Sequence, residues 1–300
     1  MQHDHHDEDH DRGLAHDLQV MAAMVERRRA LKWFAGAGTA AVIAGCSGGT
    51  TSSGTTVVTG STATATPTST ATPTPTPTAT TGGSCIADPS ETAGPYPADG
   101  TNTSSGSTSN VLTVSGIQRS DIRSSFISTT NVATGVQVVI TLTLVNVNAS
   151  CAPLAGYAVY LWHCDRSGLY SLYSAPTESY LRGVQVTDAS GQVTFTTIFP
   201  ACYSGRWPHM HFEIFSSLST ATSGGYSVLT SQLAMPTALC NTIFADTTTY
   251  PTSKSNFAAI SLSSDNVFSD NTSAQIAQQT PTFTAATTGY TATALIGIAR

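Results

Sequence analysis

The sequence predicts a mainly β protein, a two-sheet β-sandwich carried behind a leader and a linker that do not fold with it. Three observations carry this. Charged residues make up only 10% of the 300, and the 40% that are hydrophobic are dispersed among Ser, Thr and Gly. Apolar residues in the last two thirds recur at every second position, the spacing of a strand with one buried face. Between about residues 47 and 83 there is almost nothing apolar to bury.

The sandwich is expected over residues 84–300. Val136, Val138, Ile140, Leu142 and Leu144 recur at every second position and form one face of a strand. Tyr157 to Trp162 reads as a second strand. Val184–Val186 and Val193–Ile198 flank Asp188-Ala189-Ser190-Gly191, a turn signal that predicts a hairpin. His209–Phe215, Val228–Leu233 and Tyr290–Ile296 complete the strands, and Ser273–Gln279 suits a short helix.

The N-terminal 46 residues read differently. Arg27-Arg28-Arg29 precede a short apolar run, Trp33 to Gly45, which ends in Ile43-Ala44-Gly45-Cys46. Positive charge, an apolar stretch and small residues before a cysteine make an export signal. The run is too short to span a bilayer core of roughly 30 Å. The paired arginines resemble a twin-arginine signal, and the last four residues resemble a lipobox. Both imply cleavage at Cys46, a lipid on that cysteine and a location on the outer side of the cell membrane. The tract from His3 to His10 would then be lost with the leader. Residues 47–83, rich in Thr, Ser and Pro, cannot offset the entropy of ordering and are expected to be a tether.

A net charge of -6 without a Lys/Arg cluster in the domain argues against nucleic acid as a partner. A homo-oligomer is compatible with the sequence, but no pattern fixes one. Five cysteines follow Cys46, namely Cys85, Cys151, Cys164, Cys202 and Cys240. In an exported domain two disulfides and one free thiol are expected, with the pairing open.

The chemistry concentrates in Tyr203-Ser204-Gly205-Arg206-Trp207-Pro208-His209-Met210-His211. On a strand His209 and His211 share a face, so two imidazoles can converge on one metal. Tyr203 sits before a Ser-Gly turn that folds back toward them. Tyr170 follows another strand and another turn, with Tyr173 and Tyr180 as rivals nearby. A tyrosine with a pKa near 10 becomes a phenolate only on a strong Lewis acid. Phenolate oxygen with imidazole nitrogen suits a hard trivalent cation, Fe(III), better than zinc or copper.

These segments, with Glu91-Thr92-Ala93-Gly94-Pro95-Tyr96 and Trp162-His163-Cys164-Asp165 leading to Gly168-Leu169-Tyr170, resemble the intradiol ring-cleavage dioxygenases. The likeness is to the exported branch related to catechol and protocatechuate dioxygenases. It implies Fe(III) held by Tyr170, Tyr203, His209 and His211, with a catechol-type substrate and O2 as partners and a cis,cis-muconate-type diacid as product. It further implies that Arg206 lies against the substrate ring, that Gln232 lines the pocket and that Tyr203 assists proton transfer. Asp165, Asp188 and Glu213 are candidates to orient the imidazoles. Two other readings use the same residues: a non-catalytic β-sandwich binding module on a lipid tether, or a zinc or copper enzyme built on the His-x-His pair.

Overall fold

The computed structural model describes residues 85–300; the leader, the lipobox cysteine and the tether lie outside the described residues. Nine strands form two sheets. The first sheet contains β1 (Gln137–Asn146), β2 (Ala152–Pro153), β5 (Gln192–Ile198), β8 (Thr282–Ala285) and β9 (Tyr290–Ile298). In it β9 runs parallel to β1 along one edge, while β5 and then β2 pair antiparallel along the other. The second sheet has the order β4-β3-β6-β7, from β3 (Ala158–Trp162), β4 (Arg182–Val186), β6 (His209–Phe215) and β7 (Leu229–Ala234). All its pairings are antiparallel. Three short helices, α1 (Thr237–Ile243), α2 (Ser253–Ala258) and α3 (Ser273–Gln279), follow the second sheet.

The alternation in the sequence decides the core. Val138, Ile140, Leu142 and Leu144 on β1 are fully buried, as are Met210, Phe212 and Ile214 on β6 and Val159 and Leu161 on β3. All belong to one apolar cluster, each large side chain contributing on the order of 1.5–3 kcal/mol on burial. The expected hairpin at Asp188–Gly191 is corrected. The turn forms, with Gly191 at φ 72° and Gly191 N–H bonded to Asp188 O at 3.0 Å. Its two strands, however, enter different sheets: β4 pairs with β3, and β5 pairs with β1. The turn is a corner between layers, because each strand's apolar face is satisfied by a different neighbour.

The outer face of the second sheet is also buried, and this positions the site. The segment from Cys85 to Leu112 lies across it. Glu91 N–H bonds to Thr230 O at 2.8 Å, Gln232 Nε2 donates to Thr92 O at 2.9 Å, and Pro97 O accepts from both Tyr160 and Arg182. Arg182 is 1% exposed, with its N–H groups shared among Pro97 O, Tyr96 O, Ser171 and the Tyr160 hydroxyl. A buried cation is tolerated here because carbonyl and hydroxyl oxygens surround it.

The start of this segment is fastened twice. Cys85 and Cys151 form a disulfide, the one bridge among the described residues; Cys164, Cys202 and Cys240 are free and buried, so the expected second bridge is absent there. Asp88 Oδ2 accepts from Gly297 N–H and from Gln278 Nε2, both at 2.7 Å. No helix among the described residues is long and apolar enough to cross a membrane.

Burial raises the Asp88 pKa from 3.8 to about 6, against the lowering effect of the Gln278 and Gly297 hydrogen bonds. The fold therefore favours the protonated acid. Its contribution to stability is complete below the unfolded pKa and is lost as pH rises through the folded one. Thermal melts should show stability declining between pH 4 and pH 7, with up to about 3 kcal/mol arising from this group. Asp88→Asn should flatten that part of the profile; an unchanged slope would remove Asp88 as its source.

Candidate metal centre

His209 and His211 begin β6, and both rings point to the outer face of the second sheet. His209 Nδ1 lies 2.5 Å from Trp207 O, so Nδ1 carries the proton and Nε2 presents a lone pair. The His211 ring stacks on Trp162, which faces it across the β3–β6 pairing, at 4.8 Å and 8°. The two Nε2 atoms are 3.1 Å apart. Burial drives both imidazoles well below the usual histidine range, with Arg206 adding to the effect on His209 and His209 adding to that on His211. Both rings are therefore neutral, the form in which imidazole ligates a metal.

Tyr170 arrives on the loop between β3 and β4. Asp165 Oδ1 accepts from Ser167 N–H and Leu169 N–H, and Gly168 takes φ 85°, which turns the chain inward. Leu172 and Leu181 in the same loop hold φ of 65° and 57° although neither is glycine. Such conformations cost about 1–3 kcal/mol each and persist only where packing over-determines them; both leucines are buried. The Tyr170 hydroxyl ends 3.3 Å from His209 Nε2 and 3.2 Å from His211 Nε2. Its phenol is fully buried, and burial followed by the neighbouring Tyr203 pushes its pKa well above 10.

The Tyr203 hydroxyl is 3.3 Å from His209 Nε2. A Cβ on Gly168 would stand 3.0 Å from the Tyr203 Cβ, so the glycine permits the two tyrosine loops to meet. The Tyr203 side chain is half-buried, unlike the other three. The rival tyrosines go elsewhere. Tyr173 donates to Asn102 Oδ1 and accepts from Ala98 N–H, and Tyr180 donates to Asp165. Gly94, at φ 70°, covers His211: a Cβ there would meet the ring at 3.2 Å.

Arg206 and Gln232 are both buried beside this cluster. Arg206 Nη2 donates to Gln232 Oε1 at 2.7 Å, and its Nη1 lies 3.5 Å from His209 Nε2. Of the three acidic candidates to orient the imidazoles, none bonds either ring. Asp165 shapes the Tyr170 loop, Asp188 shapes the corner turn, and Glu213 lies against Asp99 and Thr230. The Trp207 carbonyl orients His209 instead. Sequence reasoning also missed Asp265, whose Oδ2 accepts from Arg206 Nε at 3.0 Å.

The donor set fits a cation. Four ligands at about 2.0–2.1 Å from a shared centre stand about 3.3 Å apart at tetrahedral angles. The contacts of Tyr170 with both Nε2 atoms, of Tyr203 with His209 and of the two Nε2 atoms with each other are 3.1–3.3 Å. The two Nε2 atoms, 3.1 Å apart, must share either a proton or a cation. Among the described residues no three His, Cys, Asp or Glu side chains form a metal-holding group, so the phenols are needed to complete this one. A cavity of about 620 Å³ bounded by Pro236, Leu239, Phe283 and Tyr290 shares no residue with the centre.

Comparison with known proteins agrees with the architecture. Residues 117–212 match the dioxygenase family model, a span that contains Tyr170, Tyr203, Arg206, His209 and His211. An intradiol ring-cleavage dioxygenase from Tetranychus urticae is 24% identical, with a TM-score of 0.50 over 72% of this chain and 95% of that one. The dioxygenase domain of a carbohydrate-binding fusion protein from Streptomyces sp. SirexAA-E is 21% identical over 71% and 99%, with a TM-score of 0.44. A 3-chlorocatechol 1,2-dioxygenase from Rhodococcus opacus 1CP is 18% identical over 71% and 72%, with a TM-score of 0.42. No curated protein sequence matches the chain. The chain has the fold of the intradiol ring-cleavage dioxygenases, and the resemblance read from its motifs is matched by its architecture.

Metal-free protein titrated with Fe(III) or Ga(III), each supplied as a soluble chelate, should melt roughly 5–10 °C higher at a hundredfold excess over the dissociation constant. His209→Ala/His211→Ala should lose that shift; keeping it would locate the cation elsewhere.

Proposed function

We propose that the protein cleaves a catechol-type ring between its two hydroxyl-bearing carbons, using O2 and an Fe(III) held by Tyr170, Tyr203, His209 and His211. The observation that carries the reading is the Tyr170 hydroxyl lying 3.2–3.3 Å from both imidazole Nε2 atoms, with the Tyr203 hydroxyl 3.3 Å from that of His209. Fe(III) held by these four side chains would supply the Lewis acidity that draws electron density from a catechol-type ring and makes a ring carbon reactive toward O2. Both atoms of O2 enter the product, a cis,cis-muconate-type diacid.

The protein's own groups have separable tasks. Each catechol hydroxyl must lose a proton as it binds. Tyr203, half-buried beside His209, would in its metal-bound phenolate form accept one of these protons. Tyr170, fully enclosed, suits a permanent ligand. The Arg206 guanidinium provides fixed positive charge where the ring gains negative charge, and Gln232 holds its outer edge. Gly94 and Tyr96 wall the side next to His211 and Tyr170 and keep water from it, Tyr96 lying 4.8 Å from the Tyr170 ring.

Oxygen uptake against a panel of catechols, with product spectra, tests the reading. An intradiol product and a visible tyrosinate-to-iron absorption are expected. Tyr170→Phe and Tyr203→Phe should change or abolish the band, and Tyr173→Phe should leave it. A colourless iron-loaded protein, or an extradiol product, would refute the assignment.

We further propose that the chain is exported and held at the membrane by a lipid on Cys46, on the strength of the arginines and the apolar run before that cysteine. Labelled palmitate should be incorporated by the wild type and lost in Cys46→Ser; equal labelling of the two would reject the anchor.

A further inference from the structure

Beside the centre stands a carboxylate that the proposed chemistry does not use. Asp265 is fully buried in the loop after α2, distant in sequence from every motif described above. Its Oδ1 accepts from Val267 N–H at 2.9 Å and Phe268 N–H at 3.1 Å, which shapes its own turn. Its Oδ2 reaches outside that turn, accepting from Arg206 Nε at 3.0 Å and from Trp207 N–H at 2.7 Å.

The consequence lies in what those two groups do. Arg206 is buried and touches the centre on one side, with Nη1 3.5 Å from His209 Nε2. Its Nη2 donates to Gln232 Oε1, and Gln232 Nε2 donates in turn to Thr92 O. With Nε on Asp265 the guanidinium is held at two of its three nitrogens, and the third, Nη1, faces His209 at the centre. Trp207 carries the carbonyl that fixes the His209 ring at Nδ1. One oxygen of Asp265 therefore grips both the cation and the residue whose carbonyl orients an imidazole. A turn-shaping role alone would need neither contact. Burying an unpaired guanidinium is strongly unfavourable, so without this partner the arginine would turn outward or admit water.

We propose that Asp265 is the positioning residue for the reaction, fixing Arg206 against the bound ring and setting the strength of ring binding through it. This rests on the ring-cleavage reading given above. Asp265 touches no ligand atom and no substrate position, so it acts only through Arg206 and Trp207.

A mutant cycle on the iron-loaded full chain tests it, with 4-nitrocatechol as the spectroscopic probe of ring binding and catechol turnover as a second readout. Arg206→Gln should weaken probe binding, and Asp265→Asn should weaken it about tenfold or more with iron content unchanged. The double variant should bind no worse than Arg206→Gln alone, to within about twofold, since groups acting as one unit are not additive. Probe affinity of Asp265→Asn within about twofold of wild type, or losses that multiply in the double variant, would overturn the proposal. Should Asp265→Asn not accumulate in folded form, Asp265→Glu carries the same cycle; failure of both to fold would make Asp265 a purely structural group and also overturn it. Iron-loaded wild type that binds the probe but does not open catechol would sink the ring-cleavage reading while the cycle still decides the role of Asp265. Wild type that does not bind the probe would end both.

Discussion

Two buried imidazole nitrogens 3.1 Å apart set the terms for everything around them. Neutral rings at that distance repel unless a cation or a shared proton lies between them. Burial in turn disfavours protonating either ring. The phenols of Tyr170 and Tyr203 reach the same point from two separate loops. Three strand connections, those after β3, after β5 and before β1, thus bring side chains or backbone to one end and one face of a four-stranded sheet.

That face would ordinarily be wet. In an antiparallel sandwich one side of each sheet packs inward and the other meets solvent. Here β6 is buried at all seven positions because the segment from Cys85 to Leu112 covers its outer side. The cover is held by backbone carbonyls bonded to the Arg182 guanidinium and by apolar side chains, Ala98, Val111 and Leu112, that join the core cluster. Glu213 lies beside Asp99 with both side chains buried, and burial, reinforced by Asp99, pushes the Glu213 pKa well above the usual carboxylate range. The same enclosure that keeps water from the centre thus requires a neutral acid further along the same strand.

Much of this was legible in the sequence, and the residues explain why. The period-two runs gave β1, β3, β6, β7 and β9, since each has one face against the other sheet and no competing helical spacing. The His-x-His spacing placed both rings on one face, and the bounds of β6 are those read from the pattern. The assignment of β4 and β5 to one hairpin failed because a tight turn specifies the reversal of the chain but not which neighbour each strand pairs with. The choice among Tyr170, Tyr173 and Tyr180 depended on motif resemblance, because three tyrosines within eleven residues have no periodic signal to separate them. Asp265 left no trace at all: a lone acid in a Ser-rich loop looks solvated until the fold brings Arg206 to it. Helices α1 and α2 open without a side-chain cap and so left no start signal, whereas α3, as short as α1, begins with the Thr272–Gln275 capping box.

The three thiols left unpaired inside the domain bear on how it fails. Cys164, Cys202 and Cys240 are buried, and burial raises each above the ordinary thiol range, Cys202 to about 12, so none supplies thiolate while the fold holds. Once the chain opens, all three revert to ordinary acidity and can attack the Cys85–Cys151 bridge. Scrambled pairings then compete with refolding, so in an oxidising setting heat damage to this molecule is governed by how fast it opens rather than by a reversible equilibrium.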